Sequence, residues 1–199
     1  MPTLATNLAQ AFRDGGAEAL ASVRRFRLHI GAVVAALAVS SQFVTDIPKD
    51  LMAGLLGAPI LAFSLWQLAG RPMALRIEHR PRAELFLGLI GGLYGGISGI
   101  WGPPLIVLLL SLHADKREMM RVQGVVFLIG SVALLGAHLA SGVLNSQTVP
   151  LSALMVVPAL AGTRVGLAVQ DRLDSRKFRR WTLILLALTG ANLVRQAIA

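Results

Sequence analysis

The residues best placed to do chemistry in this sequence sit where a charge-free stretch is interrupted: Gly91-Gly-Leu-Tyr-Gly-Gly-Ile-Ser-Gly-Ile-Trp-Gly-Pro-Pro104. Six of the twelve residues from Gly91 to Gly102 are glycine, and two prolines follow. Glycine at this density lets backbones approach closely and permits non-helical dihedrals. Pro103 and Pro104 lack amide hydrogens and push the preceding residue out of the α region. A helix is therefore expected to break near Gly102, and a second to start at the prolines and run through Leu105–Leu110. Irregular backbone at membrane depth survives only when buried in protein or lining a wet cavity. A helix start there also presents amides and a positive dipole end to an anion. Ser98, Gly99, Trp101, Gly102, Pro103 and Pro104 are thus expected to form a binding site, with Ser98 and the glycine backbone as contacts and the prolines setting the break. The competing reading is a tight helix crossing and nothing more.

Other residues could add to such a site. Arg164 is the one strong charge within an apolar stretch, and it either draws an anion or snorkels to the membrane surface. Thr6 and Asn7, with Gln10 one turn on, read by themselves as the polar side of a capped amphipathic helix. Gln123 and Asn192 are uncharged polar residues in apolar segments, suited to interhelical bonding as much as to a ligand. An enzyme reading also exists. Gly96-Ile-Ser-Gly99 with Ala137-His-Leu-Ala-Ser-Gly142 resembles the Ser and His motifs of rhomboid intramembrane proteases, with Ser98 as nucleophile and His138 as its base. Against it, the prolines interrupt the segment just after Ser98, where that family keeps a regular helix. The four histidines are dispersed and cysteine is absent, so no metal site is expected. No glycine-rich phosphate loop with lysine is present, and no cofactor is expected.

The elements that must position these residues follow from the charge map. Hydrophobic residues make up 55% of the chain and charged ones 15%, with a mean hydropathy of +0.67. Soluble domains carry about 25% charged residues, so a water-soluble enzyme is a poor fit. Asp, Glu, Lys and Arg are absent from Leu28–Thr45, Leu51–Gly70, Leu85–Leu112, Val122–Thr163 and Trp181–Val194. A spanning helix needs about 20 apolar residues, and Val122–Thr163 accommodates two around the polar turn Gly142–Thr148. Arginine gathers in alternate connectors: Arg24, Arg25 and Arg27; Arg71, Arg76, Arg80 and Arg82; Arg117 and Arg121; Arg172, Arg176, Arg179 and Arg180. The positive-inside rule places these connectors in the cytoplasm, and it holds throughout only if Leu85–Leu112 enters and returns as a broken hairpin. The +9 net charge is dealt out between apolar segments, so a nucleic-acid partner is not expected. The expected fold is all-α: a polytopic helical protein of the inner membrane with about five transmembrane helices plus the Gly/Pro-broken hairpin.

Several stretches together resemble the sulfite exporter TauE/SafE family of membrane permeases: Gly91–Leu110, Met120-Arg-Val-Gln-Gly124, Pro158-Ala-Leu-Ala-Gly-Thr-Arg-Val-Gly166 and Thr189-Gly-Ala-Asn-Leu193. The resemblance implies two similar halves, each opening with a broken segment, and proton-linked movement of sulfite, sulfonates or other small organic anions. An internal echo agrees: Ile30–Val39 resembles Ala161–Val169, and Leu56-Gly-Ala-Pro-Ile60 resembles Thr189–Leu193, at an offset of about 132 residues. Residues 83–199 then form a complete second repeat, and residues 1–82 a first repeat lacking its opening hairpin, roughly 50 residues. Met1–Gln10 resembles the Pro-x-x-x-Thr-Asn-x-x-Gln stretch that follows that hairpin in the family, and the resemblance carries Thr6 and Asn7, with Gln10, over as polar lining of the binding site. A misplaced start or a truncated gene is the expected explanation, and a site left half built would need a second copy, as a homodimer, to supply the other half. The expected partners are a small anion, protons and the lipid bilayer. A non-transporting structural subunit remains the alternative outside transport and proteolysis.

Overall fold

The computed structural model describes residues 2–44, 46–71, 74–140, 145–172 and 175–198. Among them every regular element is helical. In chain order these are α1 (Pro2–Ala11), α2 (Gly16–Arg25), α3 (Arg27–Ser40) with a 3-10 turn at Ser41–Phe43, α4 (Lys49–Leu68), α5 (Arg80–Ser98), α6 (Gly102–Ser111), α7 (Lys116–Ala140), α8 (Thr148–Leu154), α9 (Val156–Arg172) and α10 (Ser175–Ile198). Four stretches are long and apolar enough to cross a bilayer: Asp50–Leu68, Arg117–Ala140, Thr148–Gly166 and Arg180–Ile198. A fifth arises if α2 and the helix after it, bent by 78° between Arg25 and Arg27, form one span. The chain is an all-α polytopic membrane protein, as its sequence leads one to expect.

The contacts divide the chain into two compact units. The first comprises Met1–Thr45 and Ala74–Thr163, and the second Asp46–Met73 and Arg164–Ala199. In the first unit α3 and α5 run parallel and nearly touch. Gly88, Gly92 and Gly96, four residues apart, meet Ala32, Ala36 and Ser40, also four residues apart. A Cβ on Gly88 would lie 2.8 Å from the Ala32 Cβ and the His29 carbonyl, and one on Gly92 would run into the Val33 carbonyl. Small residues on both partners are what permit backbones this close, because lipid gives helices no hydrophobic drive to associate. The opposite face of α5 is also glycine: Gly91 faces Pro104 of α6, and Gly95 faces the Trp101 ring.

α6 folds back along α5 rather than onward. Gly95 lies by Trp101, Gly91 by Pro104, and Leu87 shares a core with Leu105, Leu108 and Leu109. At 1.5 Å per residue, α5 is about 28 Å long and α6 only about 15 Å. This is the expected hairpin, with its first arm beginning at Arg80 rather than Leu85. The short arm is wrapped in protein: Leu105, Leu108 and Leu109 are fully buried against Phe26, Ile30, Val122 and Val126. A helix too short to span is stable at depth only with such cover.

Ion pairs mark one end of this unit. Asp14 bonds Arg117 and Arg121, Glu18 pairs with Arg121 at 3.0 Å, and Arg25 pairs with Glu118. Arg80 donates to the Arg25 carbonyl at 3.1 Å and to the buried Glu84 carboxylate at 2.6 Å. The basic starts of α3, α5 and α7 therefore share one end. In the second unit α4 and α10 cross antiparallel at two glycines. A Cβ on Gly57 would lie 2.7 Å from that of Leu193 and 2.8 Å from the Gly190 carbonyl, and one on Gly190 would lie 3.0 Å from the Gly57 carbonyl.

Candidate functional site

The break between the hairpin arms is built residue by residue. α5 closes at Ser98, where Gly99 turns left-handed (φ 71°) and donates its N–H to the Gly95 carbonyl at 2.7 Å. A positive φ is nearly free for glycine and costs about 1 kcal/mol or more for other residues. The Ser98 hydroxyl donates to the Tyr94 carbonyl at 2.7 Å and accepts from the Ile100 N–H at 3.0 Å. It thus bonds one backbone group on each side of the break. Trp101 then leads into α6, whose first residues are Gly102, Pro103 and Pro104. Of the four backbone N–H groups a helix start leaves unpaired, the prolines remove two, so the break strands fewer donors at depth.

Trp101 fixes the tip. Its ring is buried between Gly95 and Gly130, with the nearest approach to a Cβ on Gly130 being 3.0 Å. It also meets Phe127 edge-on, with centroids 6.0 Å apart. Phe127 and Gly130 lie near the middle of the 25-residue α7, so the hairpin turns back about halfway along a helix of spanning length.

Beside the tip lies a cavity of about 740 Å³. The hairpin contributes Ser98, Gly99, Ile100, Trp101 and Gly102 to its wall, and α1 contributes Thr3, Leu4 and Asn7. One stripe of α7 supplies Phe127, Ser131, Leu134, Leu135 and His138, at the spacing of a single helix face, and Thr148 and Ser152 close the other side. The buried Asn7 amide donates to the Ser131 hydroxyl at 2.8 Å, which in turn donates to the Phe127 carbonyl at 2.6 Å. The residues that line this volume are mainly apolar, with a few convergent polar groups, which is the usual make-up of a small-ligand site.

Of the residues singled out in the sequence, the fold brings Asn7, Ser98, Gly99, Trp101 and Gly102 to one cavity. Pro103 and Pro104 stand just behind it in the first turn of α6. Thr6 turns aside and bonds the Thr3 carbonyl within its own helix. Gln123 is half-buried two turns below Ser131, outside the lining. Arg164 is exposed on α9, belongs to the second unit and is not among the lining residues. Ser98 and His138 do share the cavity, yet the serine hydrogen goes to a helix carbonyl. The α7 stripe and the Thr148–Ser152 wall were not anticipated as lining. Ser131 and His138, seven residues apart on one face, were the available signal.

The sequence matches the sulfite exporter TauE/SafE family over residues 1–193. The chain belongs to that family. No curated protein and no solved structure matches it. TauE/SafE proteins are membrane transporters, which agrees with the apolar helices and with a hairpin that stops midway and opens on a cavity. Among the described residues no group of His, Asp and Glu could hold a metal ion.

Proposed function

We propose that this TauE/SafE protein is a secondary transporter that exports a small anion, such as sulfite, a sulfonate or another organic anion, through the cavity at the hairpin tip. One observation carries the reading: a glycine- and proline-broken hairpin turns back midway along α7 and forms one wall of a polar-dotted cavity. Broken helices at mid-depth are where transporters bind substrate. Asn7, Ser98, Gly99, Trp101 and Gly102 line the site, and Pro103 and Pro104 hold its shape. The shared basic end of α3, α5 and α7 supports a cytoplasmic position for these connectors in an inner membrane.

Two repeats, residues 1–82 and 83–199, are part of the same reading. Gly57 and Gly190 are equivalent in the internal echo, and they meet across an antiparallel crossing. Equivalent residues in contact on antiparallel helices are what a two-fold axis between inverted repeats would produce.

The test is the flux of radiolabelled sulfite or sulfonate into liposomes containing the full chain. The wild type should carry the anion above empty liposomes. Pro103→Ala with Pro104→Ala should abolish flux while leaving insertion intact, because α6 loses its fixed start. Wild-type flux in the double variant would remove the site from this hairpin.

A further inference from the structure

The first unit holds another cavity, of about 640 Å³, at the opposite end of α6 from the hairpin tip. Its walls are the connector before α5, with Leu75, Arg76 and Glu78, then Arg80 at the start of α5, and Ser111 to His113 at the end of α6. The Leu75 N–H donates to the Ser111 hydroxyl at 2.7 Å, and that hydroxyl donates to the Val107 carbonyl at 2.6 Å. These bonds pin the connector to the end of α6. α6 starts about halfway along α7 and runs about 15 Å, half the thickness of a hydrocarbon core of about 30 Å. The cavity therefore opens at the level of lipid headgroups.

The charged groups around it differ in whether they already have partners. Arg80 is held by the Glu84 carboxylate at 2.6 Å and by the Arg25 carbonyl at 3.1 Å. Among the described residues, none bonds the side chain of Arg76, Glu78 or His113, and all three are exposed. His113 is also the one described non-glycine residue with a positive φ, 56°. Its N–H and that of Ala114 close α6 by donating to the Leu110 and Leu109 carbonyls, at 3.1 and 3.0 Å. Glycine makes this closure at lower cost, so the backbone alone gives no reason for an imidazole here. Leu75, 56% exposed, adds apolar surface beside these polar groups.

With Arg80 neutralised by Glu84, the groups left over are one cation, one carboxylate and one imidazole. That set matches a zwitterion better than an anion. We propose that the cavity seats the headgroup of a phosphatidylethanolamine from the adjacent leaflet. Arg76 and His113 hold the phosphate, Glu78 accepts from the ammonium, and Leu75 lies along the start of an acyl chain. A guanidinium suits phosphate, and basic pockets between helices at this level bind lipid headgroups. The carboxylate supplies the selectivity: it repels an anionic headgroup and finds no N–H on a fully methylated one.

The test is native mass spectrometry of the full chain in detergent, titrated separately with dioleoyl phosphatidylethanolamine, phosphatidylglycerol and phosphatidylcholine. The wild type should hold one phosphatidylethanolamine about fivefold more tightly than either other lipid. Arg76→Gln should weaken that binding about fivefold. Glu78→Gln should bind phosphatidylglycerol as well as phosphatidylethanolamine. His113→Gly should bind phosphatidylethanolamine more weakly yet melt no lower than the wild type, a combination that a merely structural histidine would not give. Melting curves of the other two variants should match the wild type, since both side chains are exposed. A wild type that binds the three lipids alike, or phosphatidylglycerol most tightly, would overturn the proposal. So would a folded Arg76→Gln variant with wild-type affinity, or a Glu78→Gln variant that keeps the wild-type preference. None of these readouts depends on transport, so they stand or fall separately from the hairpin-tip site.

Discussion

Two helix crossings in this protein are built from glycine, yet they have different consequences. In the second unit, α4 and α10 meet antiparallel, with each glycine accommodating the other helix's backbone. In the first, α5 carries glycine on two faces: Gly88, Gly92 and Gly96 against α3, and Gly91 and Gly95 against the returning hairpin arm and Trp101. Glycine on one face makes a close pair. Glycine on two faces makes a helix thin enough to sit between two neighbours, and that leaves space for a half-length helix to turn back inside the bundle. The cavity follows from this second arrangement, since the short arm ends midway and the α7 wall continues past it.

Substitutions that add bulk to one face at a time should separate these roles. The largest effect is expected from Gly92→Leu, where even a Cβ runs into the Val33 carbonyl; overpacking there should cost about 3 kcal/mol, read as a lowered melting temperature in detergent and poor yield. Gly57→Leu should destabilise the α4 and α10 pair by about 2 kcal/mol while leaving Trp101 fluorescence unchanged, because that ring belongs to the other unit. If Gly57→Leu shifts the Trp101 emission, the two crossings are not separable. Asn7→Ala removes a buried bond between α1 and α7 and should cost about 1 kcal/mol in the same melting assay. Gly91→Ala should be close to neutral, since its Cβ would meet Pro104 at an ordinary 3.6 Å. Alanine at 92, whose Cβ runs into the Val33 carbonyl, should by contrast be destabilising, and equal effects of Gly91→Ala and Gly92→Ala would sink this account of the α5 packing. Arg117→Ala should change nothing measurable, its partner Asp14 keeping Arg121.

How much of this was legible beforehand depended on the kind of signal. Charge-free windows and arginine-rich connectors foretold the spanning helices, and the positive-inside rule singled out the hairpin, because both are long-range sums that local detail does not disturb. Proline sterics place the break near Gly102, where α6 does begin. Sterics do not reveal that α5 already ends at Ser98, where the serine hydroxyl and the left-handed Gly99 close it three residues before α6 begins. Thr6 and Asn7 looked equivalent in the sequence, but neighbours on a helix point about 100° apart, and only Asn7 reaches the cavity. The α7 wall reads as an ordinary apolar span, so nothing local distinguished Leu134 and Leu135 as lining. Ser98 and His138, which resemble a protease dyad in the sequence, line one cavity, where the Ser98 hydrogen goes to the Tyr94 carbonyl.

Trp101 offers the most direct view of the central claim, that an anion binds at the hairpin tip. The chain has three tryptophans, and Trp66 and Trp181 are exposed in the second unit. In the full chain carrying Trp66→Phe and Trp181→Phe, Trp101 emission can be titrated with sulfite and with methanesulfonate. The account predicts a saturable change in emission over the same concentrations that saturate flux, and its loss in the Pro103→Ala, Pro104→Ala variant. Flux that saturates while Trp101 emission stays constant would place the anion elsewhere and contradict the account.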